Sequence, residues 1–232
     1  MKRLLLEGRR LALAVLYLRY RLAVPVLAMG LVLPLSIQKI LVGDGPTPQT
    51  LEQAIQLLRM ILPVCAIWCP AFALRDYVEG GTCEMARAYT GAYTRQWRLV
   101  AFCGLLYLAG LAALFFWIEK QFSDFSTEVA AEWRLQVLAA VVLLGLLYFL
   151  AYCFHSSMVA FLALVLYHCV AHVMTVLPTW LSLFPALESA RDSLGPDAPP
   201  APDPAVRLVV LAVLAAVCWA AGWVEDKSYL AN

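Results

Sequence analysis

The chain has 232 residues, of which 63% are hydrophobic and only 14% charged, and its formal net charge is +1. Soluble domains average about 45–50% apolar and about 25% charged residues. The surplus of apolar side chains excludes an ordinary soluble domain, because no core of this size could bury them, and the near-neutral charge gives no electrostatic footprint for nucleic acid. The composition therefore predicts an integral membrane protein whose solvent is the lipid bilayer.

The first 21 residues interleave basic side chains with leucine and valine. A basic amphipathic helix of this kind lies in the membrane interface and does not cross the bilayer. We therefore predict an interfacial helix over residues 1–21.

Six apolar stretches follow, each close to the roughly 20 residues that cross a membrane as a helix. They cover residues 22–42, 53–74, 98–118, 133–154, 158–178 and 207–224. The first contains Pro25 and Pro34, which predict kinks. The connections include a short acidic loop at 119–132, a tight polar break at 155–157, and a proline-rich segment at 179–206 that can form short interfacial helices. The fold class predicted is thus an all-α integral membrane protein with a single transmembrane domain over 1–232, with spans 1–5 in 22–178 and span 6 in 207–224.

The distribution of Lys and Arg predicts the orientation of these spans. Six basic residues lie at or before Arg21, and four more lie between the second and third stretches, whereas the opposite side carries most of the acidic residues. This asymmetry predicts a multi-pass protein of the cell membrane with both termini in the cytoplasm. Glycines of the third and fourth spans, Gly104, Gly110 and Gly145, predict close packing within the chain or at a dimer interface.

The polar segment 75–98 is the longest excursion on the predicted cytoplasmic side. The glycine pair 80–81 breaks the second span, and Thr82 is a suitable N-cap for a new helix. Glu84 then lies in the first turn, where it favours the helix dipole, and Arg87 lies near the end. The segment predicts a short charged helix that protrudes between two spans.

This arrangement resembles the permease subunits of type-2 ABC transporters. At the same place that family has a Glu, a spacer, Gly-Thr, any residue, and then Glu with apolar residues. The matching positions are Glu79, Gly81, Thr82, Glu84 and Met85. The six spans, the amphipathic first helix and the long outer segment before the last span match over the whole chain.

The resemblance implies that the short helix is a coupling helix, which docks on a cytoplasmic ABC ATPase. It places Glu79, Gly81, Thr82, Glu84 and Arg87 at that contact. Two permeases, identical or related, and two ATPases would then export a hydrophobic or amphipathic cargo by alternating access, along a path beside spans one, two and five. The chain has no G-x-x-x-x-G-K-[ST] motif. We therefore expect no enzyme activity and no cofactor in this chain, with ATP and Mg²⁺ bound by the partner.

Arg59 lies within the second apolar stretch. A charge inside the membrane is costly and indicates a functional site by default. Two interpretations stay open, because Arg59 can line the translocation path or extend its side chain to the nearby outer surface.

His168 and His172 are four residues apart on the fifth span and share one helix face. Such a pair can bind a metal or haem, but two neutral imidazoles packed against neighbouring helices are the simpler explanation, and we predict no metal site. The pair supports an alternative function, a membrane-embedded enzyme or a metal- or haem-handling protein. A second alternative is a membrane scaffold that transports nothing. Ser156 and Ser157 have the character of turn residues.

Overall fold

In the computed structural model of the chain, the residues described are 20–79, 96–173, 183–184 and 204–231. All regular secondary structure among these residues is helical. Four of the helices are long and apolar enough to cross a membrane. Over these residues the prediction of an all-helical chain is confirmed, and four of its helices are compatible with membrane spans.

The helices are numbered here in chain order. α1 is continuous and has three parts, Tyr20–Leu27, a π-helical turn Ala28–Val32, and Leu33–Asp44. The others are α2 (Pro48–Val78), α3 (Trp97–Gln121), α4 (Ser126–Cys153), α5 (Ser157–Val173) and α6 (Pro204–Ala231). The four segments of spanning length lie in α1 to α4, whereas the apolar parts of α5 and α6, Ser157–Ala171 and Val209–Glu225, are shorter.

The π-helical turn of α1 ends two residues before Pro34. Proline has no N–H to donate, and its ring crowds the carbonyl of the residue four positions earlier, which is Gly30. A wider turn moves that carbonyl away and keeps the helix continuous. The irregularity that the sequence predicts at Pro34 is therefore a π-turn at Ala28–Val32.

α2 begins five residues before the predicted span because of its N-terminal cap. The Thr50 backbone N–H donates to Thr47 Oγ1 at 3.3 Å, and the Thr47 backbone N–H donates to Thr50 Oγ1 at 2.8 Å. This reciprocal capping box satisfies two backbone donors, and Pro48 suits the first helical position because it has no donor to satisfy.

The acidic loop predicted over 119–132 is wrong in its extent. A single 3₁₀ turn, Ser123–Phe125, connects α3 to α4, and α4 begins at Ser126. Phe122 is fully buried before this turn and anchors it in the core. Glu132, expected on the outer loop, therefore lies in the second turn of α4 and is only 4% exposed.

α4 lies at the centre of the bundle and packs against α2, α3, α5 and α6. Glycine permits the closest approaches. A Cβ added at Gly145 would lie 2.8 Å from Trp219 Cδ1 on α6, and one added at Gly104 would lie 2.8 Å from Leu144 Cδ1 on α4. Both glycines thus serve helix packing within this chain, which was one of the two interpretations of their spacing.

Candidate functional site

The first candidate site joins the end of α2 to the beginning of α5. Glu79 follows α2 in an extended conformation, and its side chain contacts the beginning of α5. Its Oε1 accepts hydrogen bonds from Ser156 Oγ at 2.7 Å and from the Met158 backbone N–H at 3.0 Å. Ser157 Oγ donates to the same oxygen at 3.3 Å. The carboxylate therefore lies at the N-terminus of α5, where the helix dipole favours a negative charge.

Local sequence sets the geometry of the break between α4 and α5. His155 adopts a φ of 50°, the Ser156 N–H donates to the Ala151 carbonyl at 3.1 Å, and the His155 N–H donates to that of Tyr152 at 3.2 Å. These two bonds form a Schellman motif, which ends α4. Ser156 then caps α5, because its Oγ accepts from the Val159 N–H at 3.3 Å. Ser156 is a turn residue, as predicted, and it also donates to Glu79.

The surroundings of Glu79 favour its charged form. Partial burial opposes ionisation and raises the pKa, but the hydrogen bonds from Met158 and the two serines act in the other direction. Arg75, one turn earlier on α2, adds its positive charge with Nε 3.3 Å from Oε2. The net result is that the pKa of Glu79 lies below its ordinary value. The site is thus an ionised carboxylate that joins two helices.

Of the residues that the resemblance places at a partner contact, only Glu79 is among those described. Gly81, Thr82, Glu84 and Arg87 lie outside the described residues, so their coupling role stays a prediction. For Glu79 the contacts reported above are made within its own chain, to α5 and to Arg75, and none of them could be foreseen from the spacing of the motif.

The second candidate site is a buried ion pair between α2 and α4. Arg59 Nη2 lies 2.6 Å from Glu132 Oε2, and Arg59 Nε donates to Oε1 at 3.0 Å. Gln136, one turn further along α4, donates from Nε2 to Glu132 Oε1 at 2.9 Å. The side chains of Arg59 and Glu132 are only 9% and 4% exposed. The bidentate geometry and the added amide bond offset part of the loss of solvent around both charges.

This pair changes how Arg59 is understood. Its guanidinium reaches across to α4 and lies 5.6 Å from the ring centroid of Phe184, so it does not extend to the end of its own helix. A role for Arg59 in a translocation path stays a prediction, with the condition that the pair with Glu132 must open for the guanidinium to contact cargo.

His168 lies on α5 and contacts α2 next to this ion pair, at Met60. Its Nε2 is 3.2 Å from the Met60 carbonyl oxygen, a hydrogen-bonding distance, and its ring packs edge-on against Phe184. The side chain of His172 lies outside the described part of the chain. Among the side chains that the structure does describe, no group of three or more His, Cys, Asp or Glu residues is arranged to hold a metal ion.

Sequence reasoning missed Glu132 and Gln136. A signal was present, because an arginine inside an apolar stretch is often paired with an acid, and Glu132 with Gln136 forms a polar i,i+4 pair beside the fourth span. The pair was missed because the predicted acidic loop, 119–132, was too long and placed Glu132 outside the fourth span. The link between Glu79 and Ser156 carried no such signal.

Comparisons of this chain with known family models, with characterised proteins and with solved structures found no match in any of the three.

Proposed function

We propose that this chain is the permease subunit of a type-2 ABC exporter, driven by a separate cytoplasmic ATPase that binds ATP and Mg²⁺. In this proposal the chain crosses the cell membrane six times, with both termini in the cytoplasm. It pairs with a second permease, identical or related, and moves a hydrophobic or amphipathic cargo by alternating access.

The observation that carries the proposal is the bond between Glu79 and the N-terminus of α5. The segment that resembles a coupling helix begins directly after Glu79. A force applied to that segment therefore acts on two helices at once, on α2 through the chain and on α5 through the bonds to Ser156 and Met158. Alternating access needs such an element, because a partner can shift an equilibrium only by contacting the two states differently.

The proposed number of six spans depends on α5 and α6, because only the other four helices have segments of full spanning length. α5 follows α4 after a three-residue break, so the two helices form a hairpin, and α6 packs along α4. Membrane helices of this length tilt or adapt at modest cost, and residues 174–178 continue the apolar stretch of the fifth span. The charge asymmetry then favours cytoplasmic termini.

Co-purification with the ATPase tests this proposal. The full chain is purified from its native membrane under mild conditions that keep bound partner proteins. The same purification is carried out with the double charge reversal Glu84→Lys with Arg87→Glu. We expect an ABC ATPase to co-purify with the natural chain and to be lost from the variant. Glu79 is left unchanged, because its removal would also disturb α5.

The control is Glu128→Lys, an exposed reversal at the opposite end of the bundle, which should leave the ATPase bound. Thermal unfolding establishes that each variant is folded. Full retention of the ATPase by the folded double variant, or purification of the natural chain with no ATPase, would count against the proposed coupling surface.

A further inference from the structure

A groove of about 500 Å³ lies between α1, α2 and α3. Its walls are apolar side chains together with three cysteine thiols and the edge of Tyr107. Several wall residues, among them Val26, Leu106 and Ala113, are exposed on the outside of the bundle. The groove is therefore partly open toward the outside of the bundle.

The length of the groove matches the depth of one membrane leaflet. On α1 its wall runs from Leu22 to Pro34, which is about 18 Å at 1.5 Å per residue. This is slightly more than the roughly 15 Å of hydrocarbon in one leaflet, half of a core of about 30 Å. An apolar groove of this length is suited to an acyl chain, which crosses a single leaflet.

Missing side chains create this space. A Cβ added at Gly30, in the π-helical turn, would have no heavy atom within 4 Å, and one added at Gly110 on α3 would meet only the flexible end of Met29, at 3.5 Å. Ala113 continues the same face of α3. The groove thus follows a line of small residues that no other part of the described chain covers.

A positive charge lies beside one end of the groove. Arg21 is not a wall residue, but it directly precedes Leu22, the first residue of the wall. Its guanidinium lies 4.8 Å from the ring centroid of Phe72 on α2, which is also outside the wall. Trp68 Nε1 donates to the Arg21 carbonyl oxygen at 2.9 Å, which holds the backbone at this point. An arginine at the end of a leaflet-deep apolar groove is complementary to a lipid phosphate above an acyl chain.

We propose that this groove binds one acyl chain of an anionic phospholipid, whose phosphate contacts Arg21. The binding requires only this chain, so it does not depend on the exporter function. The bound lipid comes from the leaflet that contains Arg21, and it packs against α1, α2 and α3.

Photocrosslinking in bilayers tests the proposal. The full chain is placed in phosphatidylcholine nanodiscs containing a trace of either phosphatidylglycerol or phosphatidylcholine with a photoreactive acyl chain. After illumination, the labelled residues are located by peptide mass spectrometry. We expect adducts concentrated on the groove face of α3, at Leu106 and Gly110. The phosphatidylglycerol probe should label this face about fivefold more than the phosphatidylcholine probe, the factor expected for one basic residue near an anionic lipid.

Two pairs of variants separate the groove from the rest of the surface. Ala113→Phe fills the groove, whereas Ala112→Phe adds the same side chain at an exposed neighbour that does not line it. Arg21→Gln removes the charge and keeps the backbone bond to Trp68, whereas Arg98→Gln removes a charge that stacks on Trp97. We expect Ala113→Phe alone to abolish groove adducts, and Arg21→Gln alone to reduce the preference for phosphatidylglycerol to about onefold.

Gly30→Leu, with Gly43→Leu as its control, gives a second way to fill the groove if Ala113→Phe does not fold. Equal labelling over the whole lipid-facing surface of α3 would overturn the proposal. Groove adducts that persist in the filled variants would overturn it as well, as would crosslinks from the groove to a second copy of the chain in place of lipid.

Discussion

At the level of single residues, the buried ion pair between Arg59 and Glu132 is costly to break. Replacing Glu132 by Leu leaves a buried guanidinium without its carboxylate, and we expect a loss of about 3–5 kcal/mol in the free energy of unfolding. Replacing both partners, Arg59→Met with Glu132→Leu, removes both charges and should restore most of that loss.

Unfolding in mixed micelles, with secondary structure followed by circular dichroism, measures these changes. Glu128→Leu is the matched control, since Glu128 is on the same helix and exposed, and its effect should be small. A double variant as unstable as Glu132→Leu alone would show that the two charges do not compensate each other.

Gly145 tests the close packing of α4 on α6. The Cβ of an alanine at this position would lie 2.8 Å from Trp219 Cδ1 and 3.2 Å from Cys218 Cβ. Because both atoms belong to a packed neighbouring helix, we expect Gly145→Ala to lower the free energy of unfolding by about 1–3 kcal/mol. Gly43→Ala, which meets no atom within 4 Å, should leave stability unchanged or slightly raised in the same measurement. Equal stability of the two variants would contradict the observed packing.

At the level of helices, Glu79 connects α2 to α5. In Glu79→Ala the Met158 N–H and two serine hydroxyls lose their acceptor. We therefore expect the free energy needed to open the first turn of α5 to fall by about 1 kcal/mol, as it does when other helix caps are removed. Hydrogen exchange of the amides of Met158 and Val159 at neutral pH should be faster in this variant. Glu119→Ala, at the far end of α3, is the control and should exchange as the natural chain does.

The same contact predicts a dependence of stability on pH. The pKa of Glu79 is lower in the folded chain than its ordinary value of 4.5, so the unfolded state binds the proton more readily. The stabilisation is therefore fully present above pH 4.5 and is lost as the pH falls through the lower, folded pKa. The melting temperature of the natural chain should fall in this window more steeply than that of Glu79→Gln. Parallel curves for the two proteins would show that Glu79 contributes nothing to this dependence.

For the whole molecule, the hairpin order of the helices predicts which connections share a side of the membrane. In a background without native cysteines, Pro46→Cys and Ser123→Cys lie in connections on one side, and His155→Cys lies on the other. We expect an impermeant maleimide added to intact cells to label the first two, and to label His155→Cys only after permeabilisation. Labelling of all three in intact cells would contradict the proposed topology.

Much of the fold could be predicted because long apolar stretches favour helices. A backbone in hydrocarbon must satisfy its hydrogen bonds internally, so long apolar stretches become helices, and composition alone reveals them. The ends of helices were less predictable. α2 starts early because Thr47 caps it. α4 starts before the predicted span and includes Glu132, whose charge is paired with Arg59.

The sequence by itself determined that the chain is helical, apolar and suited to a membrane, because these properties follow from local periodicity and from the free energy of transfer to lipid. Only the tertiary structure decided which charges meet. Arg59 and Glu132 are 73 residues apart, and Glu79 and Ser156 are 77 apart. Such pairs depend on how the helices pack, which no local pattern encodes, and the two candidate sites of this protein are both of this kind.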